Sequence, residues 1–239
     1  LMKLVSLSHI NTNHYPMIDE EVLVQYKDGL IALSSGMNGE ITYYASIDNY
    51  ESARDTSQKY KNIFGEDFYI EIQNHGLEAE IRSHKILSKL SIDLSIPMVA
   101  TNNTFYTNKE DAESCDIIRC IGSGHNIHDP NRPISDCNEY YIKSDDKMRN
   151  LFKDYSEAIE NSYKIAEKCN VKINMDELFL PPFDIPKKSK ATNADEYLYE
   201  LCDNAILEKY DKKDSIIIER LQYELDIISK MGFASYFLI

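Results

Sequence analysis

Residues 68–76 read FYIEIQNHG, a run of β-formers that ends in Gln73, Asn74 and His75 and closes on Gly76. Two shorter apolar runs share its character. Leu30–Leu33 (LIAL) lies between Gly29 and Gly36, and Pro97–Ala100 (PMVA) is closed by Thr101, Asn102 and Asn103. Continuous apolar runs of this length suit strands buried on both faces. Helical patterns fall between them, over Asp48–Phe64 and over Glu78–Leu94, the second with Leu87, Leu90 and Leu94 on one face. Parallel neighbours need a helical crossover, so strands separated by helices predict an α/β fold with a parallel sheet or barrel.

Beyond about residue 108 helices dominate. Ser144 before Asp145 and Asp146 reads as a helix start, with carboxylates against the positive end of the dipole. Met148, Leu151, Phe152 and Tyr155 share one face. Ala158, Ile159, Ser162, Ile165, Ala166 and Cys169 form the stripe of the next helix. Residues 178–192 (LFLPPFDIPKKSKAT) hold three prolines and a solvated Lys/Ser stretch, which predicts a linker. Asn193 with Glu196 predicts a capping box opening a helix marked by Leu198, Leu201, Cys202, Ala205 and Ile206. A last helix is expected over Ser215–Met231, with Ile217, Leu221, Leu225 and Ile228 in line and Gly232 as its stop.

Composition narrows the function classes. With 43% hydrophobic and 28% charged residues, the 239-residue chain can bury a core. No apolar run approaches the roughly 20 residues of a membrane helix, and the N-terminus lacks a secretory pattern. The net charge of −14 opposes strong binding to nucleic acid. Five cysteines without a CxxC fit reduced thiols in a cytoplasm. Leu1, Leu4 and Val5 already show helical spacing, and Tyr236–Ile239 are residues that a core absorbs, so both ends are expected to continue into a longer protein.

Chemistry-bearing residues are sparse. His125 and His128, near Cys115, Cys120 and Cys137, match no zinc spacing, and the surrounding Gly, Asn, Asp and Pro describe a surface loop. Glu71 and His75 stand at the C-terminal end of a strand, where barrel active sites form. A lone histidine is a weak ligand signal, and the favoured reading has His75 closing the strand–loop junction by hydrogen bonds. Ser34, Ser35, Gly36 and Gly39 lack the lysine of a P-loop and read as a strand-to-helix turn. Two-metal nucleotidyl transfer needs clustered carboxylates, and no Asp-x-Asp occurs in the chain. No catalytic, cofactor-binding or metal-binding residue is therefore assigned.

Taken in order, the blocks LMKLVSLSHI, GLIALSSGMNGEI, FYIEIQNHG, IPMVATNNTFY, KEDAESCDIIRCI, DPNRP, EYYIKSDDKMRNLF, EAIENSYKIAEKCNV, FLPPFDIP and LQYELDIISKMGFASYFLI span nearly the whole chain. Their collinear order resembles the C-family replicative DNA polymerases of bacteria, the DNA polymerase III alpha subunits. The resemblance implies the C-terminal part of a PHP domain over 1–177, a partial distorted (β/α) barrel. The linker 178–192 follows, and 193–239 form a helical segment at the start of the polymerase palm. In intact family members the PHP barrel holds a trinuclear metal site that acts as a phosphoesterase or 3′–5′ proofreading exonuclease. The family's Cys in a Ser-Gly-Cys turn corresponds here to Gly36. The Asp and His of its Thr-Asn-Asp-x-His signature correspond to Asn103 and Phe105. Without thiolate, carboxylate and imidazole, the metal cluster is not expected to form, and the domain is expected to serve as scaffold. The resemblance further implies Mg²⁺ at a polymerase site outside this chain, a proofreading exonuclease subunit docked on the PHP domain, and sliding-clamp, replisome and DNA contacts made elsewhere. Two rivals are a free-standing PHP-type metal-dependent phosphoesterase, which needs ligands at Gly36, Asn103 and Phe105, and a non-enzymatic binding module.

Overall fold

The computed structural model describes residues 1–10, 15–176, 181, 183–210 and 214–239. Positions 178–180 and 182 of the expected linker lie outside the described residues. The helices are α1 (Met2–Ile10), α2 (Glu20–Gln25), α3 (Glu40–Ser46), α4 (Tyr50–Phe64), α5 (Glu78–Leu94), α6 (Ala112–Ser123), α7 (Asp145–Leu151), α8 (Ser156–Lys168), α9 (Ala194–Lys209), α10 (Ser215–Lys230) and α11 (Ala234–Leu238). The strands are β1 (Ala32–Leu33), β2 (Phe68–Ile72) and β3 (Met98–Ala100). The chain divides into two compact units, Leu1–Asn170 and Val171–Ile239.

The first unit is mixed α/β around a small parallel sheet in the order β1-β2-β3. Ala32 pairs with Phe68 and Leu33 with Tyr69; Ile70, Glu71 and Ile72 pair with Met98, Val99 and Ala100. All five residues of β2 are buried. A central parallel strand has neighbours on both edges and helices over both faces, which is why FYIEI shows no apolar–polar alternation. Phe68, Ile70 and Ile72 enter a core with Ile41, Ala45, Leu87, Leu90, Phe152 and Ile159. Each of these Phe, Ile and Leu side chains, fully covered, contributes about 1.5–3 kcal/mol.

Local chemistry sets the helix limits. α4 starts at Tyr50 because the Asn49 side chain accepts from Ser52 N–H at 3.2 Å, and Gly65 (φ +59°) ends it. α5 spans the predicted range and buries Leu87, Leu90 and Leu94; Ser95, in the left-handed region (φ +50°), is its stop. Ser144 caps α7 by accepting from Lys147 N–H at 3.3 Å. α8 lies over β3. Pro97 C=O accepts Ile70 N–H, so the next carbonyl, that of Met98, faces away from β2. There it accepts from the buried Asn161 side chain at 2.8 Å.

Some expectations need correction. The first strand covers Ala32–Leu33, because Leu30 N–H is turned back to Lys27 C=O. The pattern 48–64 missed α3, which starts on Gly39. There a Cβ would collide with the Ser34 carbonyl and lie 2.9 Å from Ser35 Cβ. In α8 the stripe is buried at Ala158 and Ile159, whereas Ser162, Ala166 and Cys169 are exposed. The remaining buried position is Asn161, recruited by the sheet edge.

In the second unit, Leu198, Leu225 and Ala234 form the buried core, with Cys202, Leu221 and Ile228 against it. Asn193 caps α9 through Glu196 N–H at 2.9 Å. The Glu196 carboxylate, however, accepts from Thr192 N–H and Oγ1 rather than completing a box on Asn193. Gly232 (φ +71°) follows α10. Tyr236, Phe237 and Ile239 are exposed.

Candidate functional site

Parallel strands send all their C-terminal ends to one edge of the sheet, and the loops leaving that edge meet there. Ser34 follows β1, Gln73 follows β2 and Thr101 follows β3. Ser34 N–H donates to Tyr69 C=O at 3.0 Å, and its hydroxyl accepts from Glu71 N–H at 2.9 Å. Thr101 N–H donates to Ile72 C=O at 3.1 Å. These bonds bring Glu71 and Gln73, two residues apart and therefore on one face of the strand, beside Thr101 and Asn103.

The buried Glu71 carboxylate accepts from the Thr101 hydroxyl and from Gln73 Nε2, the latter at 3.1 Å. Gln73 Nε2 also lies 3.0 Å from Thr101 Oγ1 and 3.2 Å from Asn103 Oδ1. Asn103 Nδ2 returns a bond to Gln73 Oε1 at 3.3 Å. Gly36 lies directly against this amide; a Cβ on it would collide with Oε1 and lie 2.7 Å from Cδ of Gln73.

His75 joins the cluster from the loop after β2. Its ring is fully buried, with Nδ1 2.7 Å from Glu80 Oε1, and its N–H donates to Glu80 Oε2 at 2.7 Å. Asn103 N–H donates to His75 Nε2 at 3.2 Å, so the proton of the neutral ring sits on Nδ1 and points at Glu80. Burial works to raise the Glu80 pKa, but the ring and backbone donors of His75 bring it below the usual carboxylate range. His84 on α5 closes the arrangement from behind, its Nε2 donating to Gln73 C=O at 2.8 Å.

A cleft of 240 Å³ opens over this cluster, rimmed by Met37, Asn38, Leu77, Arg119, Ile134 and Tyr140. Tyr140 stacks obliquely on His75 with ring centres 4.7 Å apart. Its own burial, with the Cys137 thiol beside it, pushes its hydroxyl up to about 12, so it stays protonated at neutral pH. Phe105, 57% exposed, meets Tyr140 edge-on at 5.2 Å. Arg119 Nη1 donates to Ser135 Oγ at 2.7 Å, and that hydroxyl donates to Asp116 Oδ1 at 2.9 Å.

The sheet edge thus gathers Glu71, His75, Gly36 and Asn103, with Phe105 at the rim. His75 closes the strand–loop junction by hydrogen bonds. Ser34 and Ser35 form a strand-to-helix turn, Ser35 at φ +66° with its carbonyl accepting from Thr42 Oγ1 at 2.9 Å. His125 and His128 sit in the loop after α6, His125 Nδ1 3.0 Å from Ser123 Oγ. Among the described residues no group of three or more His, Cys, Asp or Glu side chains is arranged to hold a metal ion. Sequence reasoning missed Gln73, Thr101, Glu80 and Tyr140. The spacing of Glu71 and Gln73 was the available signal for one of them; Thr101 and Tyr140 come from distant elements, and Glu80 from the first turn of α5.

A family model for the PHP domain matches residues 1–75, and one for the bacterial DNA polymerase III alpha NTPase domain matches residues 196–239. The chain is 39% identical over its full length to the DNA polymerase III subunit alpha of Borreliella burgdorferi, of which it covers 21%. It is 37% identical to that of Treponema pallidum, covering 20%, and 33% identical to that of Campylobacter jejuni, covering 22%. The chain is thus homologous from end to end to bacterial DNA polymerase III alpha subunits and spans about a fifth of their length.

Proposed function

We propose that this chain is a section of a replicative DNA-directed DNA polymerase, and that the section is a scaffold. Residues 1–177 belong to the C-terminal part of a distorted (β/α) PHP barrel, and 193–239 to the start of the polymerase palm, with 178–192 linking them. Nucleotide addition by two Mg²⁺ ions takes place elsewhere in the polypeptide. The observation that carries the reading is the end-to-end match to alpha subunits. The family's trinuclear metal site does not fit the residues present. Gly36 offers no side chain, the Phe105 ring has no donor atom, and Asn103 replaces a carboxylate. The Glu71 and His75 atoms that face the cluster are already engaged in hydrogen bonds.

A PHP domain without metal chemistry leaves proofreading to a separate exonuclease subunit, docked on its acidic surface, in a cytoplasmic replisome with a sliding clamp. Among the described residues no helix is long and apolar enough to cross a membrane. The test uses the intact polypeptide. It is expected to extend a primed template with dNTPs and Mg²⁺. It is also expected to release no nucleotide from a 3′ end through this domain, so that His75→Ala leaves any residual hydrolysis unchanged. Failure to extend primers overturns the polymerase reading. Manganese-dependent hydrolysis lost in His75→Ala overturns the scaffold reading.

A further inference from the structure

Three oxygens converge on one nitrogen at the sheet edge. Glu71 Oε1, Thr101 Oγ1 and Asn103 Oδ1 lie 3.1, 3.0 and 3.2 Å from Gln73 Nε2. Oxygens from separate segments pointing at a common centre are what a hard cation collects. An amide N–H₂ group carries partial positive charge and two protons, and here it sits at such a centre on a covalent tether. We propose that the Gln73 carboxamide is the built-in substitute for a bound cation at this edge, and that Gly36 is the residue that makes room for it. The inference rests on the reading that the homologous site once held metal.

The sharing of protons closes the circuit. The Thr101 hydroxyl donates to Glu71, which leaves its lone pairs free to accept from Gln73. Asn103, on the solvent side, returns its own amide proton to Gln73 Oε1. Oε1 of the buried Glu71 carboxylate therefore has two donors, the Thr101 hydroxyl and the Gln73 amide, without a metal. The role of Gly36 is steric. Its φ lies outside the left-handed region, so its backbone does not call for glycine. What does is the Gln73 amide, which occupies the space of a side chain at position 36. Positions 36 and 73 are then a coupled pair: a side chain at 36 expels the amide, and without the amide a side chain at 36 is harmless.

Hydrogen exchange read by mass spectrometry on the intact polypeptide tests this locally, in the segments 68–75 and 98–105. Gln73→Met, which keeps length and removes donors, is expected to speed exchange there at least about tenfold, the scale of a lost buried hydrogen bond. Gln73→Ala, which also clears the space beside position 36, is expected to do the same, as is Gly36→Ala alone, and Gly36→Ala is expected to add nothing in the Gln73→Ala background. Gln73→Glu replaces the donor by a second carboxylate. It is expected to exchange faster in EDTA and to recover protection in Mn²⁺, while the unsubstituted protein is indifferent to both. Additive effects of Gly36→Ala and Gln73→Ala, or a Gln73→Glu variant indifferent to Mn²⁺, overturn the cation-substitute inference alone. Protection of the unsubstituted protein by Mn²⁺ overturns the lapsed-site reading on which it rests.

Discussion

Glu80 carries the hydrogen bonds that fix His75, and through it the backbone of Asn103. Its folded pKa is lowered, so its share of the stability is complete above the unfolded carboxylate value. That share is lost as pH falls through the folded one. Glu80→Gln is expected to cost about 1–3 kcal/mol at neutral pH, since it cannot serve both His75 donors equally. A thermal-denaturation series should show the acid-side decline flattened in the variant. Such pairings were poorly legible beforehand. Glu71 and His75 stand out because they end a strand, and Gly36, Asn103 and Phe105 because they break a motif. Nothing in the sequence marks Glu80 as the partner of His75, because the pairing depends on where the first turn of α5 comes down.

Helix α5 shows what a sequence pattern does fix. Its apolar spacing and its limits agree with the structure, and Leu87, Leu90 and Leu94 are buried along one face. Its stop is a serine held at φ +50° and exposed to solvent. Ser95→Gly is expected to stabilise the fold by about 0.5–1 kcal/mol in chemical denaturation, by removing the left-handed penalty of a Cβ. Short elements were harder to read. α3 spans seven residues with adjacent tyrosines, and its formation depends on the turn at Gly39 and on the core receiving Ile41 and Ala45. In α8 the pattern marked apolar positions, but the polar Asn161 is the residue that finishes β3. Asn161→Ala leaves the Met98 carbonyl unpaired and is expected to cost about 1–3 kcal/mol by the same measurement.

At the scale of the whole chain, the α/β character was legible because short runs of β-formers without apolar–polar alternation, Phe68–Ile72 above all, stand between helical patterns. The two units differ in what holds them. The first has a core of many large side chains, whereas the second buries Leu198, Ile206, Leu225 and Ala234. Amide exchange is expected to be faster in α9 and α10 than in α5. With 26 basic against 40 acidic residues, the chain is expected to leave duplex DNA unshifted in a gel assay at physiological salt. The covering of β3 has a consequence for synthesis. The asparagine that closes its outer edge is encoded 63 residues after the carbonyl it meets. At about 5–20 residues per second, a ribosome needs roughly 3–13 s to deliver it. Through that interval the nascent strand shows an open edge, against which a second copy growing on the same message can pair.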